Sequence, residues 1–292
     1  DAFKIASDGS LSTPTSGSNN VRFGSNAGNS ITSGGSRNTL VGDEAGTNIG
    51  TNDDNTAFGY NALATDTNGF KATALGKAAL ATQNYSSATD SYNVAVGFNS
   101  GNLLTTGIRN TFVGSLSGDN STDADHNVAV GFDALSSNVL GSKSVAIGTD
   151  ALTAQNPTDG SGTNEARDMH NVAVGYHAGV SVTEGKQNTF IGGLSGDANT
   201  IGGENVALGY GALGSNVSGD RSTAIGYLAL AAQNNGTSTF DADNTAVGFN
   251  AMVSLTTGTR NVAIGSGALD AADDDSRNVA IGYGALSAMD PG

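Results

Sequence analysis

Residues Asn261–Gly265 read Asn-Val-Ala-Ile-Gly, and the same five residues return at Asn278–Gly282. A near copy, Asn-Val-Ala-Leu-Gly, occupies Asn205–Gly209. When the chain is aligned on the final glycine of this pattern, called position 0, fifteen copies are found, most of them 17 residues apart. We number these copies coils 1 to 15. Their glycines are Gly24, Gly42, Gly59, Gly76, Gly97, Gly114, Gly131, Gly148, Gly175, Gly192, Gly209, Gly226, Gly248, Gly265 and Gly282.

The residues before each glycine indicate a short β-strand. Position −3 is Val or Thr, and position −1 is Phe, Val, Leu or Ile, in all fifteen coils. Branched and aromatic residues favour strands, and their alternation with small residues has the period of two that a strand requires. A unit of 17 residues is too short for a pair of helices. The repeat therefore predicts an all-β fold, a parallel β-solenoid or β-roll of about fifteen 17-residue coils.

A longer period groups the coils into blocks. Position +4 reads Gly, Gly, Leu, Leu in three successive sets of four coils, and the fourth block has three coils. An insertion follows the last coil of each complete block, which predicts protruding loops near residues 85–92, 157–170 and 235–243. Because the coils fill the chain, we expect one repeat domain over residues 1–292.

The alternation of bulky and small residues also predicts that each strand has two different sides. We expect the bulky residues at positions −3 and −1 to fill the core of the roll. The small residues at positions −2 and 0, among them Ala207 and Ala263, are expected to form a close-packed face against another chain. Asn at position −4 fits either a ladder of amides from coil to coil or a turn before the strand. Gly at position 0 suits a bend or a close backbone approach.

Composition excludes several classes of protein. The 292 residues include 43 Gly but only 3 Pro and no Cys, which excludes a collagen helix, a disulfide scaffold and a Cys nucleophile. With 12 basic and 27 acidic residues the net charge is −15, which argues against a nucleic-acid partner. No apolar run is long enough for a transmembrane helix, so we expect no membrane insertion by this segment.

Side chains that carry chemistry are sparse. No enzyme motif is present, so we expect no catalytic residues and no cofactor, although two Asp on stacked coils are compatible with a glycan-cleaving pair. Asp-rich turns such as Asp53–Asp54 and Asp273–Asp275 are compatible with Ca²⁺. They lack a calcium-binding nonapeptide repeat, and we interpret them as solubilising charges rather than as a metal site.

Two features are candidates for contact with a target. The loop near residues 157–170 is the longest insertion and is rich in charge, so Glu165, Arg167, Asp168 and His170 are the predicted binding residues. Eight aromatic residues also share position +1, which fits either a stacked row that stiffens the roll or a track on which sugars stack. These eight are Tyr60, Phe98, Phe132, Tyr176, Tyr210, Tyr227, Phe249 and Tyr283.

The motif resembles repeats of known fibrous proteins. Ser144–Gly148, Ser-Val-Ala-Ile-Gly, and the Asn-Val-Ala-Ile-Gly copies resemble the head repeats of trimeric autotransporter adhesins. The stretch Asn244–Ala251 is similar to repeats of bacteriophage tail-fibre proteins. This resemblance implies a left-handed parallel β-roll that forms a homotrimer. The unit here is longer than the usual adhesin unit, and the chain shows no stalk heptads, membrane anchor or chaperone domain.

The resemblance implies a non-enzymatic extracellular attachment protein, either a segment of a phage tail fibre on the virion or a bacterial surface adhesin. The repeats would form a rigid spacer, and the loops would contact a host glycan or protein. The alternatives are a self-assembling surface filament and a glycan-cleaving fibre enzyme. Because the chain begins at Asp1 without Met or a signal peptide, we expect a processed or excised part of a longer product.

Overall fold

The structure is a computed structural model that describes residues 4–5, 11–12, 17–158, 166–234, 236 and 238–287. Within these ranges every regular element is a β-strand and none is a helix. Each of the fifteen coils contributes one three-residue strand at positions −3 to −1. The predicted all-β parallel solenoid of about fifteen turns is confirmed. The chain forms two compact units, Asp1–Leu140 and Gly141–Gly292.

The first unit contains coils 1 to 7. Their strands pair in parallel and in register, so that Thr111 lies opposite Val94 on one side and Val128 on the other. These strands are Val21–Phe23, Thr39–Val41, Thr56–Phe58, Thr73–Leu75, Val94–Val96, Thr111–Val113 and Val128–Val130. A shorter parallel pair joins Gly69–Phe70 to Thr89–Asp90, and Lys4–Ile5 pairs antiparallel with Leu11–Ser12.

The second unit contains coils 8 to 15, again with parallel strands in register. They are Val145–Ile147, Val172–Val174, Thr189–Ile191, Val206–Leu208, Thr223–Ile225, Thr245–Val247, Val262–Ile264 and Val279–Ile281. Two short parallel pairs accompany them. Gly141–Ser142 pairs with Arg167–Asp168, and Gly219–Asp220 pairs with Phe240–Asp241.

The predicted assignment of the two strand sides is wrong. In coils 2 to 15 position −2 points into the coil and is fully buried, as at Ala207 and Ala263, whereas positions −3 and −1 point outward. The exposed fraction reaches 51% at Phe58 and 67% at Ile281. The small residues therefore form the core of each coil, and the bulky residues form its outer sheet face.

The reason lies in the residues that close each coil over its strand. Ala or Ser at position +3 and Leu at position +4 are buried, as at Ala212 and Leu213, and so is Asn at position −4. These side chains already occupy most of the thin interior. In most coils only an alanine fits at position −2, and a bulky residue there would overpack the core.

Gly at position 0 allows both the turn and a close approach between coils. At Gly192 φ is +132°, a value that L side chains rarely adopt. A Cβ atom placed there would lie 2.6 Å from the carbonyl oxygen of Gly209 in the next coil. The expectation of a bend and a close backbone approach is confirmed in both respects.

The asparagine ladder is present, and its main partners are backbone groups of the next coil. Asn188 Oδ1 accepts a hydrogen bond from the backbone N–H of Asn205 at 3.0 Å, and Asn188 Nδ2 donates to the Gly202 carbonyl at 2.9 Å. The same pair of bonds recurs from Asn205, whose Oδ1 accepts from the N–H of Ser222 and whose Nδ2 donates to Gly219. Because buried amides need partners, each asparagine fixes the position of the following coil.

Buried glutamines continue this network where the loops are inserted. Gln155 is fully buried, and its Oε1 accepts from Ser144 Oγ at 3.1 Å and from Asn171 Nδ2 at 2.9 Å. Gln233 makes the same two contacts with Ser222 and Asn244. The position −4 residues before an insertion are Ala72, Ser144 and Ser222. In the second unit the glutamine thus supplies the acceptor that an asparagine would supply in other coils.

Candidate functional site

Each predicted loop is attached to the solenoid at its C-terminal end. The short strands Thr89–Asp90, Arg167–Asp168 and Phe240–Asp241 belong to the three insertions, and each pairs with the coil that precedes its loop. The chain therefore leaves the solenoid, forms a loop and re-enters it through two residues of parallel pairing. A loop held in this way displays its outer residues from a fixed base.

The predicted binding residues are only partly brought together. Glu165 lies outside the described residues. Asp168 Oδ2 accepts a hydrogen bond from Lys143 Nζ at 2.5 Å and lies 3.8 Å from His170 Nε2, while Arg167 lies in the short strand. Asp168 and His170 are half-exposed, so both side chains are accessible from solvent. The ion pair with Lys143 also gives Asp168 a role in attaching the loop.

Similar ion pairs follow position −5 along the outer edge of the coils. Arg37 contacts both Asp53 and Asp54, Lys71 Nζ lies 2.5 Å from Asp90, and Arg221 contacts Asp241 and Asp243. A side-chain hydrogen bond from Arg37 lowers the pKa of Asp54, and one from Lys71 lowers the pKa of Asp90. These pairs are exposed and screened, so each contributes little stability and serves mainly to align neighbouring coils.

The Asp-rich turns form hydrogen bonds to the preceding coil. Asp125 Oδ1 accepts from the backbone N–H of Ile108 at 2.7 Å, and Asp53 Oδ1 accepts from Ser36 at the same distance. Asp123 and Asp273 accept from the hydroxyls of Thr106 and Thr256. Among the described residues, no group of three or more His, Asp or Glu side chains is placed to hold a metal ion.

The aromatic residues at position +1 are all exposed. In the second unit three of them form a continuous stack, with ring centroids 5.7 Å apart for Tyr210 and Tyr227 and 5.3 Å apart for Tyr227 and Phe249. The rings are within 13° of parallel, as expected for side chains repeated at the strand spacing. The predicted stacked row is therefore present in coils 11 to 13.

Lysine takes one place in the corresponding row of the first unit. Lys77, at position +1 of coil 4, has its Nζ 6.0 Å from the ring centroid of Tyr60 and 5.4 Å from that of Phe98. Its ammonium group thus lies between two aromatic rings that belong to coils 3 and 5. Both distances are within the range of a cation–π interaction.

Comparison with protein-family models, with curated proteins and with solved structures found no match. The coarse resemblance, a parallel solenoid with 17-residue coils, is shown by the structure. No helix in the described ranges has the length and apolar character needed to cross a membrane.

Sequence reasoning missed three carboxylates beside the aromatic row. Asp119, Asp197 and Asp270 all occupy position +5 of the second coil in their blocks. Burial, with a smaller effect of Asp133, raises the pKa of Asp119 to about 6, and burial raises the pKa of Asp197. The four-coil period of the sequence was the signal that could have identified them, because it places an Asp at the same point of three blocks.

The outer strand face is an exposed apolar surface within each unit. Its exposed members lie at positions −3 and −1 and follow one another from coil to coil within each unit. In the first unit they are Val21, Phe23, Phe58 and Leu75, and in the second Ile147, Ile191, Val206, Leu208, Ile264, Val279 and Ile281. Monomeric soluble proteins rarely expose apolar patches of this extent, so the face is a candidate interface.

Proposed function

We propose that this chain is a non-enzymatic segment of an extracellular attachment fibre, either a phage tail fibre or the head of a bacterial trimeric adhesin. The observation that carries the proposal is the apolar outer strand face of the solenoid. Each coil has filled its own interior with positions −4, −2, +3 and +4, so the rows at −3 and −1 find no partner within their own coil. A second surface of regular apolar rows is what a fibre-forming protein requires for association along its length.

The partner that fits this face is another copy of the same chain. The rows are regular at the strand spacing, so an identical chain in the same register brings Leu208 level with Leu208 and Ile264 level with Ile264. The resemblance to trimeric adhesin and tail-fibre repeats favours three chains around one axis, with left-handed rolls. This replaces the interface predicted from Ala207 and Ala263, which lie in the coil interior.

A matched pair of variants tests the interface. Leu75, on the strand face, and Leu103, at position +6, are 43% and 42% exposed in the single chain. Leu75→Glu would place three carboxylates in the core of a trimer, a desolvation cost of several kcal/mol, whereas Leu103→Glu adds a charge elsewhere. Light scattering should give the mass of three chains for the parent and for Leu103→Glu, and of one chain for Leu75→Glu.

Other masses would contradict the proposal in different ways. A parent protein that is monomeric at micromolar concentration would exclude an obligate trimer. Long assemblies of undefined mass would favour the self-assembling filament instead. Equal trimer mass in both variants would show that the strand face is not the interface.

Contact with a host surface is assigned to the loops, with Arg167, Asp168 and His170 as the described members of the predicted site. A trimer would present three copies of each loop at one level, so weak contacts with a host glycan or protein would add through avidity. The proposed setting is outside the cell, on a virion tail or a bacterial surface. No step of this role requires catalysis or a cofactor.

A further inference from the structure

A cleft interrupts the aromatic row at coils 13 to 15. Its walls are Phe249 and Tyr283, its floor is Ser266 and Gly267, and the carboxylate of Asp270 lies at one side. The cleft encloses about 300 Å³. Asp270 Oδ2 is 3.2 Å from the point where a Cβ on Gly267 would lie, so the carboxylate lies next to Gly267.

The two walls are separated by one small residue. Tyr227 of coil 12 stacks on the Phe249 ring, and Ser266 and Tyr283 of coils 14 and 15 line the cleft beyond it. Phe249 and Tyr283 are two coils apart, which separates their backbones by about 9–10 Å at the usual strand spacing. A group placed midway is about 5 Å from each wall, which is the distance at which an aromatic face attracts a cation.

Lys77 shows what occupies such a gap in this chain. Tyr60 and Phe98 are also two coils apart, and the residue between them is lysine instead of serine. Its ammonium nitrogen lies 6.0 and 5.4 Å from the two ring centroids. At this point of the row, a lysine ammonium group already lies in the gap between two aromatic rings.

The same order of residues recurs in the sequence of three blocks. An aromatic residue, a Ser or Gly, and a second aromatic residue follow one another at position +1 in coils 5 to 7, 9 to 11 and 13 to 15. These sets are Phe98, Ser115 and Phe132, then Tyr176, Gly193 and Tyr210, then Phe249, Ser266 and Tyr283. The middle coil of each set supplies Asp119, Asp197 or Asp270, and no described Lys or Arg forms an ion pair with any of the three.

We propose that this cleft and the equivalent positions of the other two sets bind alkylammonium groups, each cation lying between two aromatic residues and beside the carboxylate of the middle coil. The charge of −15 favours a cationic ligand over an anionic one. Asn250, Ser266 and Ser287 also line the cleft, so a sugar is the competing ligand. Charge distinguishes the two ligands, because only a cation pairs with the Asp270 carboxylate and repeats the contact that Lys77 makes with two rings. Quaternary and methylated ammonium groups carry a positive charge with little hydrogen-bonding demand, so they match aromatic walls and a single carboxylate.

Ammonium groups would be the chemical target of the proposed attachment role. Only this biological interpretation rests on the proposed function. Binding itself needs one chain, because each set of residues lies within one unit. Three clefts per chain would make weak single contacts additive on a surface that displays many ammonium groups.

Choline chloride and its neutral isostere 3,3-dimethylbutan-1-ol are the probes for the test. Calorimetry and ligand-observed NMR on the full chain should give three choline sites and no binding of the alcohol. Asp270→Asn should weaken one site about tenfold, equal to ~1.4 kcal/mol. Ser266→Lys should remove that site, because the new side chain fills the cleft as Lys77 fills its own gap. The matched control is Ser25→Lys at position +1 of coil 1, which should leave all three sites.

Three results would overturn the inference. Equal binding of choline and the alcohol would show that charge has no part in recognition. Displacement of choline by methyl glucoside would assign the clefts to neutral sugars. Retention of three sites in Ser266→Lys would place binding elsewhere. None of these results depends on the mass of the assembly. The proposal of a trimer and the proposal of ammonium binding can therefore be contradicted independently.

Discussion

The ring of Phe190 occupies the space that a side chain at Gly196 would need. A Cβ placed on Gly196 would lie 2.6 Å from Phe190 Cε1, and the corresponding atom on Gly118 lies at the same distance from the ring of Phe112. In coil 14, the equivalent coil of the fourth block, both side chains differ in size: Ala263 stands in place of the phenylalanine, and Leu269 stands in place of the glycine. Positions −2 and +4 thus share one fixed volume in the core.

This shared volume predicts a coupled pair of substitutions. Phe190→Ala should cost about 3–5 kcal/mol of unfolding free energy by leaving a cavity, and Gly196→Leu should clash with the ring. The double variant reproduces the combination of coil 14 and should recover most of the loss. A denaturant double-mutant cycle measures the coupling, and additive costs would contradict the shared volume.

Asp66 predicts a pH-dependent loss of stability. Its Oδ1 accepts from the backbone N–H of Gly69 and its Oδ2 from Gln83 Nε2, both at 2.7 Å, yet burial raises its pKa to about 6. Since the folded pKa exceeds the unfolded value of 3.8, this group makes no difference to stability at lower pH and destabilises the fold progressively as pH rises from about 4 to about 6. Above that range the penalty is complete, at about 3 kcal/mol.

Asp66→Asn should therefore stabilise the protein at pH 8 and have little effect at pH 4. Asn216 holds the equivalent position of another block, where its Oδ1 accepts from both the Gly219 N–H and Gln233 Nε2 while its Nδ2 donates to the Gly219 carbonyl. An asparagine at position 66 can form the same three hydrogen bonds. Urea unfolding at the two pH values measures the difference, with the exposed Asp274→Asn as control. A larger gain at pH 4 than at pH 8 would contradict the sign of the effect.

The asparagine ladder predicts a large cost for a small deletion. Asn188→Ala removes two hydrogen bonds and leaves the N–H of Asn205 and the carbonyl of Gly202 unpaired in the interior, which should cost about 2–4 kcal/mol. Asn29→Ala, on the surface, should change stability by less than ~0.5 kcal/mol. Thermal unfolding of both variants makes the comparison, and equal midpoints would remove the ladder as a stabilising feature.

Two adjacent glycines should respond differently to alanine. Gly192→Ala forces a Cβ against the Gly209 carbonyl at a φ of +132°, and should cost ~3 kcal/mol or more. At Gly193 a Cβ would meet Tyr210 Cδ2 at 3.5 Å, an ordinary contact, so Gly193→Ala should be nearly neutral. Hydrogen exchange across coils 10 and 11 would locate the damage, which should be confined to the first variant.

Shortening the longest loop tests the assignment of host contact. Deletion of residues 157–166 retains Arg167–Asp168 and the Lys143 ion pair, so folding and assembly mass should be unchanged. Attachment to the host surface should fall, because most of the insertion is lost. A matched deletion within residues 235–239 controls for loop shortening in general. Full attachment after the first deletion would place the receptor contact elsewhere.

The sequence by itself determined the repeat, the strand of each coil, the role of Gly at position 0 and the points where the loops leave. These follow from local chemistry, since only glycine combines positive φ with backbone contact, and Val, Thr and Ile at alternate positions favour a strand. The sequence also shows the four-coil period, and it places Phe190 at position −2 and Gly196 at position +4 of the same coil.

Only the tertiary structure decided which side of the strand is inside. Alternation defines two faces but does not label them, and here Ala207 faces the core while Leu208 faces outward. Other residues of the same coil decide which face is buried. In coil 11, Leu213 after the glycine and Asn205 before the strand fill the interior, so the space left at position −2 holds only the methyl group of Ala207. The clefts between aromatic rings likewise exist only after stacking, because residues 17 or more positions apart become neighbours through the spacing of the strands.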